Sequence, residues 1–332
     1  MRLCKALLTA VLLASTALVG VAPTAQAGDH ERVRVLTWNI FHGGREPTPD
    51  NLNDLIDQVI DLEPDVFFAV ETYGSGDLIT DALTRRAHNG RYTGVRVTER
   101  PAGQDNLWIF TKYEVVAAYP KPQGGPVSDF NLGGVRVRVP HDGELNLFAT
   151  WLPYTDPWNG YLIDENAIDR RDGREPRHSV AAVVQAERAQ TQYITDIVRN
   201  QLPRMLGGNT APVLLGGDFN TLPGADWTPS QAGCPNHFGL SYPLTATKVV
   251  TDAGFVDTFR AANPDVCAVP GRTWSPLPTE QLITDQRIDF LFAKGDVETR
   301  AARIVDQRMR RHGPGVFYSD HAAVVSDLKV RW

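Results

Sequence analysis

The chain has 332 residues, 42% of them hydrophobic and 22% charged, with a formal net charge of -6 at neutral pH. An acidic balance excludes a protein that holds nucleic acid by bulk charge, though not one that meets phosphates locally. No apolar run beyond the N-terminus is long enough to span a bilayer, so no membrane insertion is expected.

Residues 1–27 read as a secretory segment. Arg2 and Lys5 open it, 6–21 is almost wholly apolar, and Ala25-Gln26-Ala27 fits the small-x-small cleavage pattern. Cys4 precedes the apolar run and so cannot anchor a lipid at the cleavage site. Cleavage there makes a secreted protein starting near Gly28, removes two positive charges and moves the formal charge from -6 to -8. No linker, low-complexity tract or usable repeat divides 28–332, which is expected to be one domain.

Taken in order, 33–39 alternates and is rich in β-formers, a strand ending at Asn39 and followed by Ile40-Phe41-His42-Gly43-Gly44. A helical stripe follows over 50–62, with Asp50 as N-cap and Pro64 as terminator. The apolar run 65–70 is a buried strand that delivers Glu71, and 77–87 is a second helix. Strands are expected over 107–111, 114–119, 134–139 and 145–151. The stretch 156–179, with Asp169-Arg170-Arg171-Asp172 at its centre, reads as a solvated loop long enough to face a substrate. Residues 180–202 form a long helix with Val183, Val184, Ile194, Ile197 and Val198 inward. An apolar strand from Pro212 to Leu215 then breaks into Gly216-Gly217-Asp218-Phe219-Asn220. Further strands are expected over 287–293, 297–305 and 322–330. Cys234 and Cys267 lie in two Pro/Gly-rich loops and pair in an oxidising compartment. A thiol nucleophile is disfavoured, since neither sits in a motif with a partnered base.

Asn39, Glu71, Asp218 with Asn220, and Asp320 with His321 all fall at strand ends, while Asp289 falls inside an apolar strand. Asp218 and Asn220, two apart in an extended segment, point one way and converge on a hard cation or a phosphate. Taken alone, Gly-Asp-Phe-Asn is equally a polar turn. An acid in a buried strand needs a committed partner such as a histidine.

With these residues in order, the chain resembles the endonuclease/exonuclease/phosphatase superfamily. The matching pieces are Thr37-Trp38-Asn39-Ile40, Pro64-Asp65-Val66 leading to Glu71, Gly217-Asp218-Phe219-Asn220, Thr273-Trp274, Arg287-Ile288-Asp289-Phe290 and Ser319-Asp320-His321. The resemblance implies an α+β fold, a four-layer sandwich of two packed mixed β-sheets flanked by helices. It implies a metal-dependent phosphoesterase, with Glu71 as main ligand of Mg²⁺ or Mn²⁺ assisted by Asn39 and Asp320. Asp218 then orients or deprotonates the attacking water, Asn220 holds a phosphate oxygen, and His321 is the acid or base that Asp289 orients.

The chain departs from the pattern where many members carry Thr-His. Here Ala149-Thr150-Trp151-Leu152-Pro153-Tyr154 offers an indole, which donates one hydrogen bond and accepts no proton. Trp151 and Tyr154 are candidates for substrate contact, the alternative for Trp151 being a rim aromatic. His42 is a third candidate, with a local structural role as its alternative. The expected partner is a phosphodiester, DNA or RNA first, with small-molecule or lipid phosphoesters as the other class. A non-catalytic binding module is disfavoured by the retained site residues. Arg45, Arg170, Arg171, Arg174 and Arg177 are the candidate backbone contacts, though interleaved with acids. No protein partner is inferred, and a monomer is expected.

Overall fold

Strands covered on both faces read as continuous apolar runs, and 65–70 and 212–215 have that character because each face meets a different layer. The computed structural model describes residues 30–332 apart from 49 and 89, so the expected secretory segment 1–27 and the domain start at 28 lie outside the described residues. Twelve strands form two sheets: β1 (His30–Asn39), β2 (Val66–Val70), β3 (Thr93–Arg96), β4 (Trp108–Thr111), β11 (Val297–Val305) and β12 (Ala323–Arg331) make one. The other comprises β5 (Glu114–Ala118), β6 (Leu132–Val139), β7 (Gly143–Trp151), β8 (Val213–Asp218), β9 (Val256–Asp257) and β10 (Asp289–Lys294). Their orders are β11-β12-β1-β2-β4-β3 and β5-β6-β7-β8-β10-β9. In each sheet the central pair, β1–β2 or β7–β8, is parallel and the remaining pairs are antiparallel.

The period-two alternation of each strand sorts its side chains between layers. Val33 and Val35 of β1, Val66 and Phe68 of β2, Leu145 and Leu147 of β7, and Leu214 of β8 pack between the sheets. Leu36, Trp38, Phe67 and Ala69 face the other way, onto helices Asn51–Leu62 and Gly76–Arg86. Leu215, Phe219, Phe290 and Phe292 do the same toward the helical run 188–206 and helix Ala246–Asp252. The expected four-layer α+β sandwich is therefore the fold. Among the described residues no helix is long and apolar enough to cross a membrane.

Several local expectations are corrected. The stretch 156–179 is not all loop, since helix Asn159–Arg171 occupies its middle. Its inward residues include Asp164, Asn166 and Asp169 beside Leu162, Ile163 and Ala167, so no apolar stripe marks it. The single helix over 180–202 is a jointed run, Val180–Ala186, Arg188–Asp196, a π-turn Ile197–Gln201 and Leu202–Leu206. Asp50 occupies the cap position of its helix without making a side-chain cap bond. Strand β10 starts at Asp289, so this acid opens the strand rather than lying within it. Strand β8 runs through both glycines to Asp218.

Those glycines are there for space. At Gly217, φ is 156° and a Cβ would lie 1.8 Å from the Thr150 carbonyl oxygen. At Gly216 a Cβ would meet Phe68 at 2.6 Å and Thr37 Oγ1 at 2.7 Å, both on the facing sheet. Cys234 and Cys267 form the expected disulfide, with Cα atoms 4.9 Å apart.

Candidate active site

The alternation that fills the inter-sheet core also builds the site at its open end. Asn39 continues the inward series Val33-Val35-Thr37, Asp218 continues Leu214-Gly216, and Trp151 continues Leu145-Leu147-Ala149. Because β1, β2, β7 and β8 run one way and β10 runs antiparallel to β8, Asp289 arrives directly opposite Asp218. Trp151 is the parallel neighbour of Asp218 on its other side. The mouth of the sandwich thus collects polar side chains from both sheets.

His321 is the centre of their contacts. Its Nδ1 lies 2.8 Å from Asp289 Oδ2 and its Nε2 is 4.0 Å from Asp218 Oδ2. The backbone around it is fixed by the Trp38 indole N–H on its carbonyl (2.8 Å) and by its own N–H on Ser319 Oγ (3.0 Å). Ser319 Oγ in turn donates to the Asn39 carbonyl at 2.7 Å. Thr273 holds the start of β10, its Oγ1 accepting from the N–H groups of Ile288 and Asp289.

Asn39 aims its amide nitrogen at Glu71 Oε1 (3.0 Å) and Asp218 Oδ2 (3.2 Å). Its oxygen accepts the Phe41 N–H, a contact that fixes which end of the amide faces the acids. Asn220 does not reach Asp218 by strand alternation. It sits in the left-handed region at φ 47°, after a turn in which Asp218 Oδ1 accepts the Asn220 N–H at 2.8 Å. Its side-chain amide reaches Leu152 O at 2.9 Å and Asp218 Oδ2 at 3.2 Å, and its carbonyl accepts the Trp158 indole N–H at 2.8 Å.

The electrostatics follow from burial. Burial raises the Asp218 carboxyl far above its ordinary range, with His321 opposing that rise and Asp289 adding to it. Burial also raises Asp320, and Glu71 reinforces it. For His321 burial alone would disfavour the charged ring, but Asp289, Asp320 and Asp218 outweigh it and hold the imidazolium well above the usual histidine range. Asp218, Asp289 and Asp320 are thus gathered around one imidazole, and Glu71 lines the same cavity. A hard-oxygen donor set short of positive charge fits a divalent cation such as Mg²⁺ or Mn²⁺. Asp218, Asp289 and His321 bring ligating atoms within 4.8 Å of one another, but the 2.8 Å His321–Asp289 contact already commits the ring nitrogen Nδ1.

These groups open into a cavity of about 260 Å³. Its lining combines Glu71, Asp218, Asn220, Asp320 and His321 with Trp151, Tyr154, Trp158, Tyr161 and Trp274, and Ile288. Among the described residues, the buried Trp151 indole N–H meets no hydrogen-bond partner, nor does Asp289 Oδ1. His42 is exposed, stacks on Phe41 at 4.5 Å and does not line the cavity, although its backbone N–H donates to Glu71 Oε2 at 3.3 Å.

The sequence profile of the Endonuclease/Exonuclease/phosphatase family matches residues 36–321, a span that runs from β1 to His321 itself. This chain belongs to that family. Endonuclease/exonuclease/phosphatase enzymes hydrolyse phosphoric esters with a divalent metal, and this chain is a hydrolase of that class. An uncharacterised Caenorhabditis elegans protein is 24% identical over 319 residues, covering 89% of this chain and 90% of its own. The human Nocturnin catalytic domain, solved with a bound sulfate anion, shares the fold with a TM-score of 0.56 at 14% identity, over 91% of this chain and 97% of that one. A Bacteroides thetaiotaomicron mannosyl-6-phosphatase matches at a TM-score of 0.56 and 13% identity, over 89% and 99%.

Of the aromatic lining residues the sequence singled out Trp151 and Tyr154 but not Trp158, Tyr161 and Trp274 as substrate contacts. Trp158 and Tyr161 sit at the start of a helix read as loop, where buried polar residues interrupt the apolar Leu162, Ile163 and Ala167 and no helical stripe marks an inward face. Ser319 and Thr273 had a signal, since both lie in the motif pieces, but no spacing rule says what a lone hydroxyl will hold.

Proposed function

We propose that this chain is a secreted, divalent-metal-dependent phosphodiesterase in which Asp218 and His321 handle the protons. The observation that carries this is the Asp289–His321–Asp218 arrangement, 2.8 Å on one side of the ring and 4.0 Å on the other, at the mouth of an acid-rich cavity.

Glu71 and Asp320 would hold Mg²⁺ or Mn²⁺, which when bound supplies charge stabilisation to a phosphate oxygen. Asn39 orients Glu71 and Asp218 through its amide nitrogen, and its oxygen, which accepts the Phe41 N–H, keeps a second lone pair for the ion. Asp218 Oδ1 is taken by the Asn220 N–H, so Oδ2 orients the attacking water and takes its proton. Asp289 keeps His321 charged and its ring fixed, so Nε2 donates to the phosphate and then to the leaving alkoxide. Asn220 holds a second phosphate oxygen by releasing its longer contact, the 3.2 Å one to Asp218. The partnerless Trp151 indole N–H supplies a donor where other members carry a histidine.

Nucleic acid is one substrate class and a small or lipid phosphodiester the other. Arg170 pairs with Glu175, Arg171 with Asp172, and Arg174 and Arg177 both with Asp169, so these arginines do not form a free cationic track. That pairing favours a small phosphodiester. The test is a panel of plasmid DNA, RNA, bis-p-nitrophenyl phosphate, a phosphomonoester and sphingomyelin, with Mg²⁺ or Mn²⁺ and with EDTA. Diester cleavage that EDTA abolishes and metal restores is expected; metal-independent turnover would overturn the proposal.

A further inference from the structure

Glu71 stands one residue past the end of β2 with φ at 59°, in the left-handed region that a β-carbon disfavours. Continuing the β2–β4 register beyond Ala69–Trp108 would set it opposite Asn106. There the ladder gives way to a side chain. Asn106 Oδ1 accepts the Glu71 N–H at 2.9 Å, which leaves the Asn106 carbonyl to accept the Thr72 N–H at 3.1 Å. Asn106 Nδ2 donates to the Phe130 carbonyl at 2.9 Å, and this bond settles which end of the amide faces Glu71. The Glu71 carbonyl accepts the Gly43 N–H at 2.7 Å, so both of its backbone groups are held.

Asp105 braces the same turn. It and Asn106 are fully buried, and neither lines the cavity. Asp105 Oδ1 accepts the N–H groups of Gly74 and Gly103 at 2.8 and 2.9 Å. Its Oδ2 accepts the Trp108 indole N–H at 2.5 Å and the Thr72 hydroxyl at 3.2 Å. The Asp105 carbonyl accepts the Tyr73 N–H at 3.1 Å. Every backbone N–H from Glu71 to Gly74 thus ends on Asp105 or Asn106. A turn that only had to reverse the chain could give such donors to water. Here two buried residues take all four, and that fixes the direction in which Glu71 leaves the sheet.

Resting on the assignment of Glu71 as a metal ligand above, we propose that Asn106, braced by Asp105, is a positioning residue that holds the Glu71 carboxylate in place for the divalent cation. A partner behind a ligand removes orientations that the ion would otherwise have to select against, and its loss typically costs about 10–100-fold in metal affinity. The pair reaches the ion only through Glu71. Its removal therefore weakens occupancy of the site and is offset by raising the ion's concentration.

The test titrates Mn²⁺ into the full chain and reads the free ion by its electron paramagnetic resonance signal, in the wild type and in Glu71→Gln, Asn106→Ala and Asp105→Asn. Asn106→Ala should raise the Mn²⁺ Kd at least tenfold, and its rate on bis-p-nitrophenyl phosphate should climb back toward wild type as Mn²⁺ is raised. Asp105→Asn keeps the shape of the side chain but turns one acceptor into a donor, and should raise the Kd at least threefold. It carries the test if Asn106→Ala does not fold. A merely structural role would lower the melting temperature and leave the Kd alone. An unchanged Kd in the folded variant, or a rate that added Mn²⁺ does not lift, overturns the proposal while leaving Glu71 as a ligand. No Mn²⁺ uptake by the wild type, or an unchanged Kd in Glu71→Gln, overturns that assignment and the proposal with it.

Discussion

In the proposed mechanism Asp218 and His321 divide the proton work, in a pocket where burial raises the one and neighbouring acids raise the other. Removing either should therefore act on rate rather than on folding. His321→Ala and Asp218→Asn are each expected to lower kcat by at least ~10²-fold with an unchanged circular dichroism spectrum. A near wild-type rate in both would remove them from the chemistry. These two residues and Asp289 stood out in the sequence as members of an ordered set at strand ends, since each alone has a bland explanation. The orientation of the Asn39 amide was not, since it depends on a backbone N–H two residues on. Away from the site, His237 stacks on Trp227 at 4.1 Å with Nδ1 2.8 Å from Gln231 O, and burial lowers its pKa from the ordinary 6.5. The fold therefore prefers the neutral ring, and this contribution is lost as pH falls through 6.5 toward the lowered value. Thermal melts at pH 7.5 and 5.0 should show a smaller acid-side loss in His237→Gln than in the wild type.

Whole elements were legible in proportion to how far apolar side chains did the anchoring. The long strands of both sheets came through, because alternation and buried runs carry them, whereas the short strands β3 and β9, with no fully buried residue, did not. Helix Asn159–Arg171 did not, because hydrogen bonds from its polar side chains help to anchor it. Asp164 Oδ1 accepts from Ile283 N, Thr284 N and Thr284 Oγ1, each at 2.8 Å, and Asn166 exchanges bonds with both backbone groups of His178. A polar anchor leaves no period in the hydropathy, so the charged stretch looked solvated. Asp164→Ala should leave the buried Thr284 N–H and the part-buried Ile283 N–H without their acceptor and cost about 1–3 kcal/mol in urea denaturation. A change below the error of the fit would show that water replaces the carboxylate. The Cys234–Cys267 bridge joins segments 33 residues apart, and its reduction should cost about 2–4 kcal/mol in the same measurement.

At the scale of the molecule, the acid-rich mouth predicts that metal binding stabilises the fold as well as serving the reaction. Mg²⁺ or Mn²⁺ should raise the melting temperature by mass action, and Glu71→Gln should remove most of that rise. A melting curve indifferent to both ions would place the cation elsewhere. Asn39 and Glu71 come from one sheet, Asp218 and Asp289 from the other, so the distance between reacting groups is the distance between sheets. That distance is set at Gly216, where the missing side chain lets β8 settle against Phe68 and Thr37. The contacts that cross between the sheets, Asn39 to Asp218 and His321 to Asp289 and Asp218, thus share one mechanical coordinate. A single added methyl in Gly216→Ala would act on it like a shim, detuning the whole assembly while leaving each of its parts intact.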